Sequence, residues 1–399
     1  MKLAAGQQGL TNVEHRALKS VAVQFFVNGA VLASYIPRLP DIRDSLGLTL
    51  TQIGAILAVA TGVGIVGSAL QGPAIESFGT RKAMIFSSFV LVAGLAFVGA
   101  ASNVWVLIAA LMVIAVSDVV TDVAMNIQGS TLSARRSTPV INRLHGLWSL
   151  GTVVGGTIAA ASAAAGVSLS LQLFVSAGVL ALALLYVAPG LLTIDEDVAE
   201  SGGGRSEQRA QASNGSVMVT FLVLGGSAII PEVITSDWAA FRLADDLGTS
   251  NGFAGLGFVA FTTGMVIGRF AADSIVSRMG SDVVLRVATL LAAVGIVLAM
   301  VIPIPTLALV GLNLAGLGVS VMFPQLYDMA VRSGRSNRAL AGLTAGSRIA
   351  LLATPPLVGF LAGSGGFTVG AAVVVTTIPA ALVVLSLTQR LQVGTTVSG

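Results

Sequence analysis

The chain has 399 residues, 55% of them apolar and 10% charged, with a mean hydropathy of +0.91 and a formal net charge of +3. A soluble domain carries roughly 25% charged residues, so the apolar surplus here must face lipid. The lack of cysteine excludes disulfides and thiolate metal sites, two histidines argue against a histidine-rich metal centre, and cations scattered over short loops argue against nucleic-acid binding.

The opening segment, Met1 to Lys19, is polar and too rich in acid and amide groups for a cleaved signal peptide. A bilayer core about 30 Å thick takes about 20 apolar residues per helix. Stretches of that kind follow at 18–38, 52–74, 82–101, 104–130, 141–165 and 168–189, and again at 216–240, 252–274, 283–302, 305–331, 339–363 and 366–389. The polar segment Asp195 to Ser216, with Asp195-Glu196-Asp197 and Gly202-Gly203-Gly204, divides them six and six and reads as a flexible linker. The expected organisation is an N-terminal six-helix bundle over 1–190, a cytoplasmic linker over 191–215 and a C-terminal six-helix bundle over 216–399.

Loop cations set the expected orientation. Arg81, Lys82, Arg135, Arg136, Arg205, Arg209, Arg278, Arg332, Arg335 and Arg338 fall on one side, joined by Arg16, Lys19 and Arg390. Arg38, Arg43 and Arg242 fall on the other. By the positive-inside tendency, both termini and the linker are cytoplasmic. Trp105 and Trp238 fall near the ends of spans, where indole rings commonly sit at the interface. Small residues recur at helix-packing spacing, as in Gly62, Gly64 and Gly67 or Gly151, Gly155 and Gly156, and most of them serve to let helices approach closely.

One phrase occurs twice. Gly72-Pro73-Ala74-Ile75-Glu76-Ser77-Phe78-Gly79-Thr80-Arg81-Lys82 separates the second and third spans, and a looser copy, Gly268-Arg269-Phe270-Ala271-Ala272-Asp273 followed by Arg278 and Gly280, holds the equivalent place in the second half. The first copy resembles the loop pattern of the major facilitator superfamily, keeping its two glycines, Arg81 and Lys82, with Glu76 for the usual Asp and Ser77 for the usual cation. The resemblance covers nearly the whole chain. It implies an all-α membrane protein of twelve transmembrane helices in two pseudo-symmetric six-helix bundles, the major facilitator fold, that rock about a central site. A narrower resemblance is to the fucose-permease branch: Asp122 four residues before Asn126, then Arg143-Leu144-His145-Gly146-Leu147-Trp148-Ser149-Leu150-Gly151. Glu232-Val233-Ile234-Thr235-Ser236-Asp237-Trp238 is similar to a phrase in inner-membrane relatives of that branch. The first span lacks the Asp that the fucose symporter carries there and has only Asn28, and the aromatic content of 6% is low for a sugar site.

Ionisable groups inside a membrane cost about 2.5–3.5 kcal/mol each on insertion scales and normally face a cavity or a partner. Asp118, Asp122 and Asn126 are spaced four apart and form one stripe of the fourth helix. Two carboxylates so close do not both ionise easily, as proton coupling requires; the alternative is that each is a fixed partner of an Arg or His on a neighbouring helix. His145 suits a relay by its ordinary pKa of about 6.5, or is a packed residue near a helix end. Arg143 could neutralise Asp122. Glu232 follows Pro231 in the seventh helix and either binds substrate or protons, or pairs with Arg348. Arg348 reads as the cation deep within a span, receiving an anionic substrate or clamping Glu232 or Asp328. Asp237 reads as a gate or interface residue at the outer end, and Gln325 as a substrate contact. Glu76, Arg81 and Lys82, with Asp273 and Asp328, read as gating residues whose charge pairs are made in one conformation and broken in the other.

The expected function is secondary active transport of a small polar solute by alternating access, proton-coupled and in the import direction. Asn28, Asn126, Glu232, Gln325 and Arg348 would bind substrate, and Asp122 would carry the proton with Asp118 and His145 as helpers. The alternative is proton-antiport efflux of amphipathic compounds, suggested by the glycine-rich fifth helix, Gly146 to Gly156, which lacks the usual Gly-Pro pair. A receptor or scaffold would usually carry a further soluble domain. No triad order, P-loop or dinucleotide fingerprint points to an enzyme. No cofactor is expected; the partners are a solute, a proton and the bilayer, and nothing demands more than a monomer.

Overall fold

A computed structural model describes residues 12–136, 140–193, 215–333 and 336–396. Linker residues 194–214, among them Arg205 and Arg209, and Arg335 lie outside the described residues. The first half contains α1 (Asn12–Tyr35), α2 (Leu39–Ser45), α3 (Leu50–Gly67), α4 (Gln71–Gly99), α5 (Val104–Arg136), α6 (Ile141–Ala164) and α7 (Leu169–Val187). The second contains α8 (Gly215–Phe241), α9 (Asn251–Met279), α10 (Ser281–Val301), α11 (Pro305–Arg332), α12 (Ser336–Gly363) and α13 (Val369–Thr396). Among the described residues, twelve helical segments are long and apolar enough to cross a membrane, with α1 and α2 forming one of them. The protein is a multi-pass membrane protein.

The halves repeat one packing scheme. In the first, α1 lies on α6 and α7, α3 on α5, and α4 on α5 and α7; in the second, α8 lies on α12 and α13, α9 on α11, and α10 on α11 and α13. The two seams between halves, α3 with α12 and α6 with α9, are each other's mates under the same correspondence. Within the halves the helices touch backbone to backbone. A Cβ on Gly225 would overlap the Leu343 carbonyl, and one on Gly151 the Phe26 carbonyl. Lipid offers no hydrophobic force between helices, so contact this close supplies the packing.

Local sequence sets the helix ends. On the face away from the termini, here the distal face, Thr49 starts α3 with a capping box: Gln52 N donates to Thr49 Oγ1 at 3.2 Å and Thr49 N to Gln52 Oε1 at 2.8 Å. Ser168 and Ser250 cap α7 and α9 on the same face.

Several boundaries differ from expectation. The first span continues past residue 38, because a 3-10 turn at Ile36–Arg38, with Pro37 inside it, links α1 to α2. The Gly72–Lys82 phrase is helical rather than a loop: α3 stops at Gly67, and α4 runs through it, turning a corner at Gly79 (φ 73, ψ 155). Gly280 (φ 82, ψ 149) makes the matching corner between α9 and α10. Only glycine occupies that backbone region readily. Aligned on these corners, Ser277 stands opposite Glu76, and Asp273 lies one turn earlier. Trp105 is 76% exposed at the start of α5, whereas Trp238, expected at the interface, is fully buried against Phe241, ring centroids 5.3 Å apart.

Candidate functional site

A cavity of about 800 Å³ lies between the halves, walled by α1, α5, α6, α9 and α11. Beyond it, toward the distal face, lies a smaller pocket of about 150 Å³ that includes Glu232 and Asp237. Trp148, Ser149, Val266 and Arg269 line both. Distal to the pocket the halves are closed on each other. Arg43 binds Asp245, Asn251 binds Asp41, and Thr51 Oγ1 donates to the Gly359 carbonyl at 3.1 Å. On the terminal face Arg81 bonds the Ala188 carbonyl at 3.3 Å, and Arg332 meets Asp328 at 3.6 Å, each within its own half. The large cavity reaches Asp273 and Gln325 on that side, so it opens to the terminal face.

Three polar networks meet the cavity. In the first, Asn28 Nδ2 donates to Asp118 Oδ1 at 2.7 Å and Asn28 Oδ1 accepts from Trp148 Nε1 at 2.7 Å. The indole has only a donor to offer, so it fixes which end of the amide faces the acid. In the second, Asn126 Nδ2 donates to the Asp122 carbonyl at 2.8 Å and to Asp122 Oδ1 at 3.1 Å, while Asn126 Oδ1 faces His145 Nε2 at 3.1 Å. An amide oxygen only accepts, so this bond requires a proton on Nε2. Phe25 packs edge-on to the imidazole at 5.2 Å. The third network crosses the halves: Arg269 Nη1 reaches Ser149 Oγ at 3.3 Å and Arg269 Nη2 meets Glu232 Oε1 at 3.5 Å.

The structure thus brings Asn28, Asp118, Asp122, Asn126 and His145 together. It corrects other placements. Glu232 pairs with Arg269, not Arg348. Arg348 is exposed and lines neither cavity, nor does it clamp Asp328. Its neighbour one turn on, Leu352, approaches Gly62 of α3, so this face of α12 looks along a seam. Arg143 is exposed on the cavity wall and does not pair with Asp122, whose contacts are with Asn126. Gln325 lines the cavity near its mouth, with Oε1 held by Ser281 at 2.5 Å. Glu76, Arg81, Lys82 and Asp273 take part in none of the ion pairs among the described residues, and the Asp328 pair lies within one helix. Trp148, Ser149 and Arg269 are the site residues that sequence reasoning gave no role. Arg269 was already in view inside the second copy of the repeated phrase.

Residues 21–238 match the Major Facilitator Superfamily as a family. The chain belongs to that superfamily. It is 28% identical over 349 residues to an uncharacterised MFS-type transporter of Yersinia pestis, covering 86% of this chain and 88% of the relative. Its fold is similar to that of the nucleoside transporter NupG (TM-score 0.69, 12% identity, 94% of this chain and 98% of the other). It is also similar to that of FucP in the outward conformation (TM-score 0.56, 15% identity, 93% and 97%). The protein is therefore an MFS transporter of the secondary type, and the cavity between its halves is the candidate path for solute.

Proposed function

We propose that the chain moves a small polar solute by alternating access, in symport with protons. The observation that carries this reading is the pair Asp118 and Asp122, one helical turn apart on the cavity wall. Their direct partners are neutral amides, Asn28 and Asn126. Two carboxylates without a cationic clamp, in a site of reduced dielectric, repel strongly when both are charged. One proton held between them removes the repulsion, and its release to one face or the other ties solute movement to the proton gradient. His145 reaches Asn126 and stands between the pair and the mouth. The positive-inside tendency makes the terminal face cytoplasmic and this conformation inward-open.

The test is proton flux in proteoliposomes challenged with sugars, polyols, organic acids and cationic drugs. External alkalinisation on adding a polar solute, lost in Asp122→Asn, supports symport. Proton movement in the opposite sense, with drug-like cations only, replaces this reading with efflux.

A further inference from the structure

Two guanidinium groups line the large cavity, Arg143 from α6 and Arg269 from α9. They stand on the wall made by the α6–α9 seam, while Asp118 and Asp122 stand on α5, each bonded to an amide. Arg269 is loosely held. Its contacts at 3.3 and 3.5 Å exceed the roughly 2.7–2.9 Å of a well-formed charge-assisted bond, and its side chain is 38% exposed. Arg143, nearer the mouth, takes part in none of the ion pairs among the described residues. The Arg269 fork therefore has donors to spare, facing the space where solute must pass. Glu232 lies behind it in the smaller pocket with Asp237, and Asp273 lies at the mouth.

We infer that the solute carries a carboxylate or comparable anionic group, received by Arg269 and drawn in by Arg143. The inference rests on the proposed transport function and deepens it. A planar guanidinium matches a carboxylate with two parallel hydrogen bonds, which no group on the α5 wall can offer. The division of the cavity also fits symport: the proton loads on α5, the anion on the α6–α9 wall, and together they cross as a neutral load. A neutral load avoids the cost of carrying a lone charge through a dry, closed intermediate.

The test is equilibrium binding to purified protein without a gradient, by titration calorimetry and thermal stabilisation. The probes are matched acids, alcohols and amines: gluconate, glucitol and glucamine, then galacturonate, galactose and galactosamine. At least one acid should bind about tenfold or more tightly than its neutral and amine counterparts, and Arg269→Gln should weaken it by about tenfold or more. Arg269→Lys keeps the charge without the fork and should lose part of that affinity; it also serves if the Gln variant does not fold. Binding of alcohol or amine as tight as acid, retention of acid affinity in Arg269→Gln, or binding of neither acid would overturn the inference. Acid binding without proton flux would sink the coupling and leave the anion site standing.

Discussion

Arg43, at the end of the first span, holds the carboxylate of Asp245, 202 positions later in the chain, with Nη2 2.9 Å from Oδ1. The same guanidinium bonds Asp44 at 2.8 Å and lies over the Phe241 ring at 5.4 Å. This pair joins the halves on the distal face and must part when that face opens. A partly exposed pair contributes under about 1 kcal/mol. Asp245→Ala should therefore raise distal opening by up to about fivefold. Labelling of a cysteine placed at buried Ala160, by an impermeant maleimide added on the distal side, checks this. The exchange Arg43→Asp with Asp245→Arg should return labelling toward wild type, and unchanged labelling in the single variant would show that the pair does not hold the face shut.

Asp122→Asn should abolish accumulation against a gradient while leaving counterflow exchange of the same solute intact. Asp118→Asn should behave similarly but more weakly, because Asn28 already supplies Asp118 with a donor at 2.7 Å. Concentrative uptake by the Asp122 variant would remove Asp122 from the coupling role. A pH profile should report the pair rather than one acid, since neighbouring carboxylates titrate jointly.

Trp148→Phe keeps the ring and removes the donor that orients Asn28. The amide is then free to turn its oxygen toward Asp118. The lost hydrogen bond should cost about 0.5–1.5 kcal/mol of stability, visible as a lower melting temperature, and transport should slow with it. A variant that melts and transports like the wild type would show that the indole bond does not position the amide.

Gly79→Ala isolates a backbone effect. Nothing lies within 4 Å of the added Cβ, so any loss comes from φ 73 and ψ 155. About 1–3 kcal/mol of destabilisation is expected, with a similar loss for Gly280→Ala. Urea or thermal unfolding in detergent measures both.

These residues also show what the sequence could reveal. Span number and the Asp118–Asp122–Asn126 stripe were legible, because span length and a four-residue spacing are properties of a single helix. His145 was in reach as a helper of Asp122, but its place beside Asn126 is a contact between α5 and α6 that spacing along one helix does not fix. The Arg269–Glu232 pair was not legible. Choosing between Arg269 and Arg348 as the partner of Glu232 requires knowing which faces of α9 and α12 turn inward, and that is set by packing between helices far apart in sequence. Trp238 misled for a related reason: its place near the end of a span suggested the interface, whereas its ring points into the bundle. The second copy of the repeated phrase was matched through its acid, Asp273. Its corner glycine, Gly280, is the better anchor, because a backbone conformation that only glycine favours survives when the surrounding side chains diverge.

In the distal parts of the two seams, glycines bring the facing helices into close contact. Gly54 faces Pro355, Gly359 faces Leu50, Gly252 faces Ala164 and Gly255 faces Ala160. Close backbone contact of this kind is dense yet removes few apolar side-chain atoms from water. At roughly 25 cal/mol per Å², parting it exposes little surface that would resist hydration. The inward-open and outward-open forms can then lie close in free energy, separated by a modest barrier, and a bound solute or one proton is enough to tip the balance. A bulky, leucine-rich seam would bind the halves more tightly and trap the carrier in one form; glycine and alanine keep the cycle reversible.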